Sequence, residues 1–74
     1  MIKCVKVTFK NGDSYHFYVF ADTAQKTKEW YINTNDNSAH VLICRSTEYI
    51  LLKSNISIVA FWDVDTDKED ISII

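Results

Sequence analysis

The chain has 74 residues, a hydrophobic content of 47% and a formal net charge of −2 at pH 7. A chain this short holds one small core, which excludes a second domain, and its apolar content argues against disorder. The net charge argues against a protein that coats nucleic acid, because such binding needs clustered Lys and Arg. With one glycine and no proline, and many β-branched and aromatic residues, the composition favours strands.

The first predicted element is a β-hairpin. Residues 3–10 alternate in polarity, Asn11-Gly12 follows, and residues 13–20 return. Asn-Gly is a strong hairpin signal because both positions tolerate a positive φ. Successive strand side chains point to opposite faces, so in the first strand one face is expected to carry Val5, Val7 and Phe9 and the other Lys6, Thr8 and Lys10. In the second strand one face carries Tyr15, Phe17 and Val19 and the other His16, Tyr18 and Phe20.

A short helix is predicted from Asp22 to Trp30, with a third strand as the alternative. Asp22 can cap the first free N–H groups and Gln25 can reach back to it. The polar run 33–38 predicts a turn, and the apolar run 38–45 predicts a strand.

Residues 48–62 predict a strand, a tight corner at 53–55 and a second strand, both apolar on both faces. In the second strand, alternation places Ile56, Ile58, Ala60 and Trp62 on one face and Val59 and Phe61 on the other. A chain this small cannot easily bury both faces by itself, so we expect one face to meet another subunit of a homo-oligomer. The predicted interface residues are Tyr49, Leu51, Val59 and Phe61.

The predicted fold class is mainly β (α+β): a small twisted antiparallel meander, or a five-stranded barrel, with one short helix. We expect residues 1–64 to form a single small β domain and residues 65–74 an acidic C-terminal tail. Residues 1–7 contain lysines and no apolar stretch long enough for a signal peptide or membrane span. We therefore expect a cytoplasmic location, the host cytoplasm if the protein is viral, and no membrane partner.

Metal and catalytic motifs are weak throughout the chain. The acidic run from Asp63 has the first ligand spacings of an EF-hand loop, but Lys68 and Ile74 stand where glycine and a bidentate Glu are required. The two cysteines, Cys4 and Cys44, lie in apolar runs and are expected to be buried thiols. Neither the cysteines nor the histidines form a short zinc-ligand pair, and no nucleophile is tied to a base. We predict no metal site, no cofactor, no catalytic residue and no enzyme activity.

The corner and the hairpin turn resemble motifs of a known family. Residues 52–59, LKSNISIV, resemble the second conserved block of the Sm-like family, and specifically of its bacterial Hfq branch. The Asn11-Gly12 turn after VTFK looks like the first block of that family. The resemblance implies a five-stranded barrel whose fourth and fifth strands pair between subunits to close a ring. It also implies that the lysine corner lines a nucleotide-binding pore, although Ser54 stands where the family has histidine.

The residues of the corner also suggest a ligand site by their own chemistry. Lys53, Ser54 and Asn55 supply a charge, a hydroxyl and an amide that can hold a phosphate or a base edge, and Trp30 and Tyr31 can stack on a base. We therefore predict a non-enzymatic oligomer that binds or sequesters a nucleotide-type ligand or a short RNA.

The short, aromatic-rich, proline-free chain is similar in style to phage or prophage accessory proteins, some of which sequester host signalling nucleotides. The alternative function is a protein-interaction module or an inhibitor of a host protein. It would act through a strand edge and the acidic tail.

Overall fold

The computed structural model describes residues 1–64; the predicted acidic tail, and most of the run tested as a calcium loop, lie outside the described residues. The chain forms, in order, β1 (Ile2–Phe9), β2 (Ser14–Phe20), α1 (Ala21–Asn33), β3 (Ala39–Cys44), β4 (Thr47–Leu52), a 3-10 turn (Lys53–Asn55) and β5 (Ile56–Asp63). The predicted class, mainly β with one short helix, is confirmed. In the described part of the chain, no helix is long and apolar enough to cross a membrane.

The strands form two antiparallel sheets rather than a closed barrel. A three-stranded sheet has the order β2-β1-β5, and β3 and β4 form a separate two-stranded ribbon. Sequential strands pair in the hairpin and in the ribbon, but β5 returns to pair with β1 instead of β4. The central strand is therefore the first one, which places the start and the end of residues 1–64 side by side.

The hairpin between β1 and β2 forms as its turn residues predict. Gly12 has a φ of 97°, in the region where a side chain would be strained. Its N–H donates to the carbonyl of Phe9 (2.9 Å), and the N–H of Phe9 donates to the carbonyl of Asp13 (2.8 Å). The register pairs Val5 with Phe17, so apolar residues two apart on each strand face the same core.

Helix α1 extends beyond the predicted segment at both ends, and the alternative of a third strand is excluded there. It starts directly after β2, and Phe20 is the N-cap residue, without a side-chain hydrogen bond. The prediction that Asp22 caps the helix is wrong, because Asp22 already lies inside the first turn. Its carboxylate is still favourable there, since the N-terminal end of a helix carries partial positive charge.

The core lies between the three-stranded sheet on one side and α1 with the ribbon on the other. Its members alternate along the strands, as period-two patterning requires, and include Val5, Val7, Phe17, Val19, Ala24, Leu42, Cys44, Leu51 and Ile56. Cys4 and Cys44 are both buried. The Sγ of Cys44 donates to the carbonyl of Tyr18 at 3.4 Å, which links the ribbon to the edge of β2.

A β-bulge changes the predicted facing of β5. Thr8 pairs with Ile58 but the next residue, Phe9, pairs with Ile56, so Ser57 is the extra residue. A bulge places residues two apart on opposite faces. Ile56 is therefore buried while Ile58 is exposed, which corrects the prediction that both share one face.

The predicted interface residues lie on the core side of their strands. Leu51 is 3% exposed and belongs to the core, so it offers no surface to another subunit. Val59 and Phe61 sit beside Val7 and Val5 in the sheet register and pack against the core. Tyr49 keeps an exposed portion, but its ring makes an edge contact with Phe17, with 4.9 Å between centroids. The apolar surface of these strands lies on their opposite faces.

Candidate functional site

The structure brings together three of the five predicted ligand residues: Lys53, Tyr31 and Trp30. The Nζ of Lys53 donates to the carbonyl of Thr34, the C-cap residue of α1, and lies 5.0 Å from the centroid of the Tyr31 ring. A cation at a helix C-terminus stabilises the free carbonyls there. Lys53 therefore holds the end of α1 against the 3-10 turn, and its charge is already engaged.

The Trp30 ring is likewise committed to internal contacts. It stacks on His40 of β3, with 4.9 Å between centroids and 18° between planes, and meets Tyr31 edge-on at 6.0 Å. Its Nε1 is buried and has no hydrogen-bond partner among residues 1–64. A ligand base would have to displace His40 to reach this face of the indole.

A buried polar pair fixes His40 under the helix. The hydroxyl of Thr27, a fully buried residue, donates to the carbonyl of Thr23 at 3.0 Å. Because that hydroxyl has only one proton, Nε2 of His40 is the donor in their 2.9 Å hydrogen bond. Desolvation by burial lowers the pKa of His40 below its usual value, so the neutral ring is favoured.

The other two predicted residues, Ser54 and Asn55, make none of the side-chain contacts that join this cluster. Both are exposed in the 3-10 turn. The backbone carbonyl of Asn55 accepts from the N–H of Lys10 at 2.8 Å, and Asn55 lines a shallow cleft with Phe9, Lys10 and Asn11. The predicted ligand set is thus divided between two places on the domain.

A different surface carries exposed aromatic rings and a lysine that forms no ion pair with residues 1–64. We call it the outer sheet face: the face of the three-stranded sheet that points away from the core. The registers of β1 with β2 and β5 place on it Ile2, Cys4, Lys6, Thr8, Ser14, His16, Tyr18, Phe20, Ile58, Ala60 and Trp62. Part of this face is open to solvent, since Phe20, Ile58 and Trp62 remain 54%, 60% and 42% exposed, whereas Ile2 and Cys4 are buried.

Lys6 occupies the centre of the outer sheet face. It lies between His16 on β2 and Ala60 on β5. Within these three strands it is the one Lys, Arg, Asp or Glu on this face, and it forms no ion pair with residues 1–64. By contrast, Lys3 on the core face pairs with Asp63 at 3.3 Å. Among residues 1–64, the charge of Lys6 therefore has no counter-charge on the outer sheet face.

Aromatic rings lie on the two strands that flank this lysine. Trp62 reaches across the sheet and meets His16 edge-on, with 5.9 Å between centroids. Trp62 and Tyr18 flank Cys4 in the register, and Cys4 is fully buried. The hydroxyl groups of Thr8 and Ser14 form a hydrogen bond of 3.1 Å beside Lys6. This arrangement can stack on a planar ring and place a cation and hydroxyls next to it.

The sequence contained a signal for this surface. Alternation placed His16, Tyr18 and Phe20 on one face of the hairpin, and Trp62 on one face of the last strand. What it could not show is that β5 pairs with β1, which puts Trp62 beside the same face as His16.

Residues 1–64 contain no group of three or more His, Cys, Asp or Glu side chains that could hold a metal ion. No family model matches the sequence, and no curated protein or solved structure gives a significant match to it. The resemblance to the Sm-like family therefore stays a prediction.

Proposed function

We propose that this protein is a non-enzymatic domain that binds a nucleotide-type ligand on its outer sheet face. The observation that carries the proposal is the position of Lys6, which forms no ion pair with residues 1–64, on a face that also carries His16, Tyr18 and Trp62. Sheet faces with exposed aromatic rings bind unstacked bases in several nucleic-acid-binding folds.

Each part of a nucleotide has a matching group on this surface. A base can stack on the exposed indole of Trp62, since stacking tolerates any base and contributes about 1–3 kcal/mol. The ammonium group of Lys6 can contact a phosphate as a point charge. Thr8, Ser14 and Tyr18 supply hydroxyls for the sugar or the base edge. With a single cation, the face suits one nucleotide or a short strand better than a long polyanion.

The test is a titration followed by intrinsic tryptophan fluorescence, to which the exposed Trp62 and the more enclosed Trp30 both contribute. The probes are AMP, adenosine and ribose 5-phosphate, with oligo(A) and oligo(U) to distinguish free nucleotides from strands. Lys6→Ala should weaken AMP binding about tenfold, the loss expected for a charged hydrogen bond. It should leave adenosine binding nearly unchanged. Lys28→Ala, an exposed lysine on α1, is the matched control and should have no effect.

The predicted lysine corner makes a competing prediction in the same assay. If Lys53 holds the phosphate, Lys53→Ala should weaken AMP binding while Lys6→Ala should not. If Lys6 holds the phosphate, Lys6→Ala should weaken AMP binding and Lys53→Ala should not. Lys53→Ala should then lower only the stability, because the contact with the end of α1 is lost. If none of the probes binds, or if the Lys6→Ala variant binds AMP as tightly as the unmodified protein does, the outer sheet face is ruled out as the site.

The second candidate function is the protein-interaction module or inhibitor of a host protein. The observation that favours it is the sheet order, which leaves the outer edges of β2 and β5 unpaired within residues 1–64. Such edges can accept an extended strand of a partner. The acidic tail that would take part in it lies outside the described residues.

A further inference from the structure

We propose that two copies of this chain associate through the outward face of the ribbon formed by β3 and β4. We call this surface the ribbon face and define it by Val41, Ile43, Ile50 and Leu52. These four side chains are 48% to 69% exposed. The inward neighbours Leu42, Cys44 and Leu51 are buried, so the ribbon has one face in the core and one face without a cover among residues 1–64.

The composition of the ribbon face fits a copy of the same chain better than an unrelated partner. Its centre is the directly opposed pair of Val41 and Ile50, and Ala39 lies opposite Leu52. Interfaces between identical subunits are more apolar than transient ones. The four side chains that define the ribbon face are all aliphatic.

The surface area points to a weak dimer. Four aliphatic side chains exposed to this degree amount to about 400 Å² of apolar surface, as large as the largest patch on many monomers. Two such faces in contact bury about 800 Å², which the flanking side chains bring towards the roughly 1,200 Å² of the smaller specific interfaces. We therefore expect a dissociation constant in the micromolar range.

The charges beside the ribbon face define the arrangement of the copies. Glu48 lies opposite Ile43, on the β4 side. Lys26 of α1 borders the other side of the same end, where it lines a small cleft with Val41 and Ile43. A two-fold axis parallel to the strands places β3 of each copy over β4 of the other. Equivalent residues of the two copies then lie at the same height along the strand direction. Lys26 of one copy then meets Glu48 of the second copy, twice in the dimer.

The experiment is sedimentation velocity over about 1–500 µM protein, a range that spans a micromolar equilibrium. The unmodified chain should change from monomer to dimer as its concentration rises through this range. Ile50→Glu should raise the dissociation constant at least about tenfold, because it buries an unpaired charge in the contact. Ile32→Glu is the matched control, since Ile32 on α1 is 66% exposed and Ile50 is 69% exposed. The control should dimerise as the unmodified chain does.

A charge exchange tests the two-fold arrangement independently of the apolar contact. Lys26→Glu and Glu48→Lys should each weaken the dimer several-fold, and the double variant should restore it, because the pair is re-formed with opposite polarity. A monomer at every concentration, equal effects of the Ile50 and Ile32 variants, or a double variant weaker than both single ones would overturn the proposal. Ligand binding on the outer sheet face is measured separately and does not depend on this result.

Discussion

Leu42 and Val41 are neighbours in the chain, yet the structure places one in the core and the other on the surface. Leu42 is fully buried in the core that Val5, Phe17 and Leu51 share, whereas Val41 is half exposed on the ribbon face. We predict that Leu42→Ala lowers the free energy of unfolding by about 3 kcal/mol, since truncating a buried Leu loses transfer energy and leaves a cavity. Val41→Ala should lower the free energy of unfolding by less than about 1 kcal/mol.

The loss at Leu42 is large for a domain of this size. If its stability is about 5 kcal/mol, as is common for small domains, Leu42→Ala leaves about 2 kcal/mol, and the protein remains folded at 25 °C. For small domains each 1 kcal/mol shifts the melting temperature by about 4–8 °C, so we expect a decrease of about 12–24 °C. The Val41 variant should melt within a few degrees of the unmodified protein.

Urea denaturation followed by tryptophan fluorescence measures both variants. The protein concentration should be about 1 µM, where association through the ribbon face makes little contribution. A one-residue shift of a strand exchanges its two faces. If Val41→Ala lowers the free energy of unfolding as much as Leu42→Ala does, or more, then Val41 and not Leu42 is the residue of β3 that faces the core. Val41 would then not lie on the ribbon face.

Two further predictions concern His40 and the turn between β3 and β4. Because burial lowers the pKa of His40 in the folded protein, its contribution to stability is fully present above the unfolded value of about 6.5 and is lost as the pH falls below it. His40→Gln should therefore flatten the dependence of the urea midpoint on pH between about 7.5 and 5, and an unchanged slope would contradict this. Arg45 and Ser46 have φ values of 54° and 63°, which strain non-glycine residues, so Ser46→Gly should raise the free energy of unfolding by about 1 kcal/mol. A lower urea midpoint for Ser46→Gly would show that the serine side chain is required in the turn.

Alternation along a strand predicted which side chains of the candidate site share a face. The pattern of residues 14–20 assigned His16 and Tyr18 to one face of the hairpin, and the structure has them there. The predicted role of Lys53 depended instead on the resemblance of its corner to a family motif and on the polar chemistry of Lys53, Ser54 and Asn55. In the structure its ammonium group contacts the end of α1, a partner 19 residues earlier that no local pattern specifies.

Local signals in the sequence left residues 22–33 open between a helix and a strand, but they determined the Asn11-Gly12 turn, the alternating strands and the polar corner at 53–55. These follow from the φ preferences of single residues and from the two-residue repeat of a strand, which act over short stretches of chain. Only the tertiary structure decided which strands pair. The return of β5 to β1, and the bulge at Ser57, bring Val59 and Phe61 into the core and Trp62 beside His16. The reason is physical: a strand that is apolar on both faces satisfies either orientation locally, and only its neighbour in the sheet selects the face that is buried.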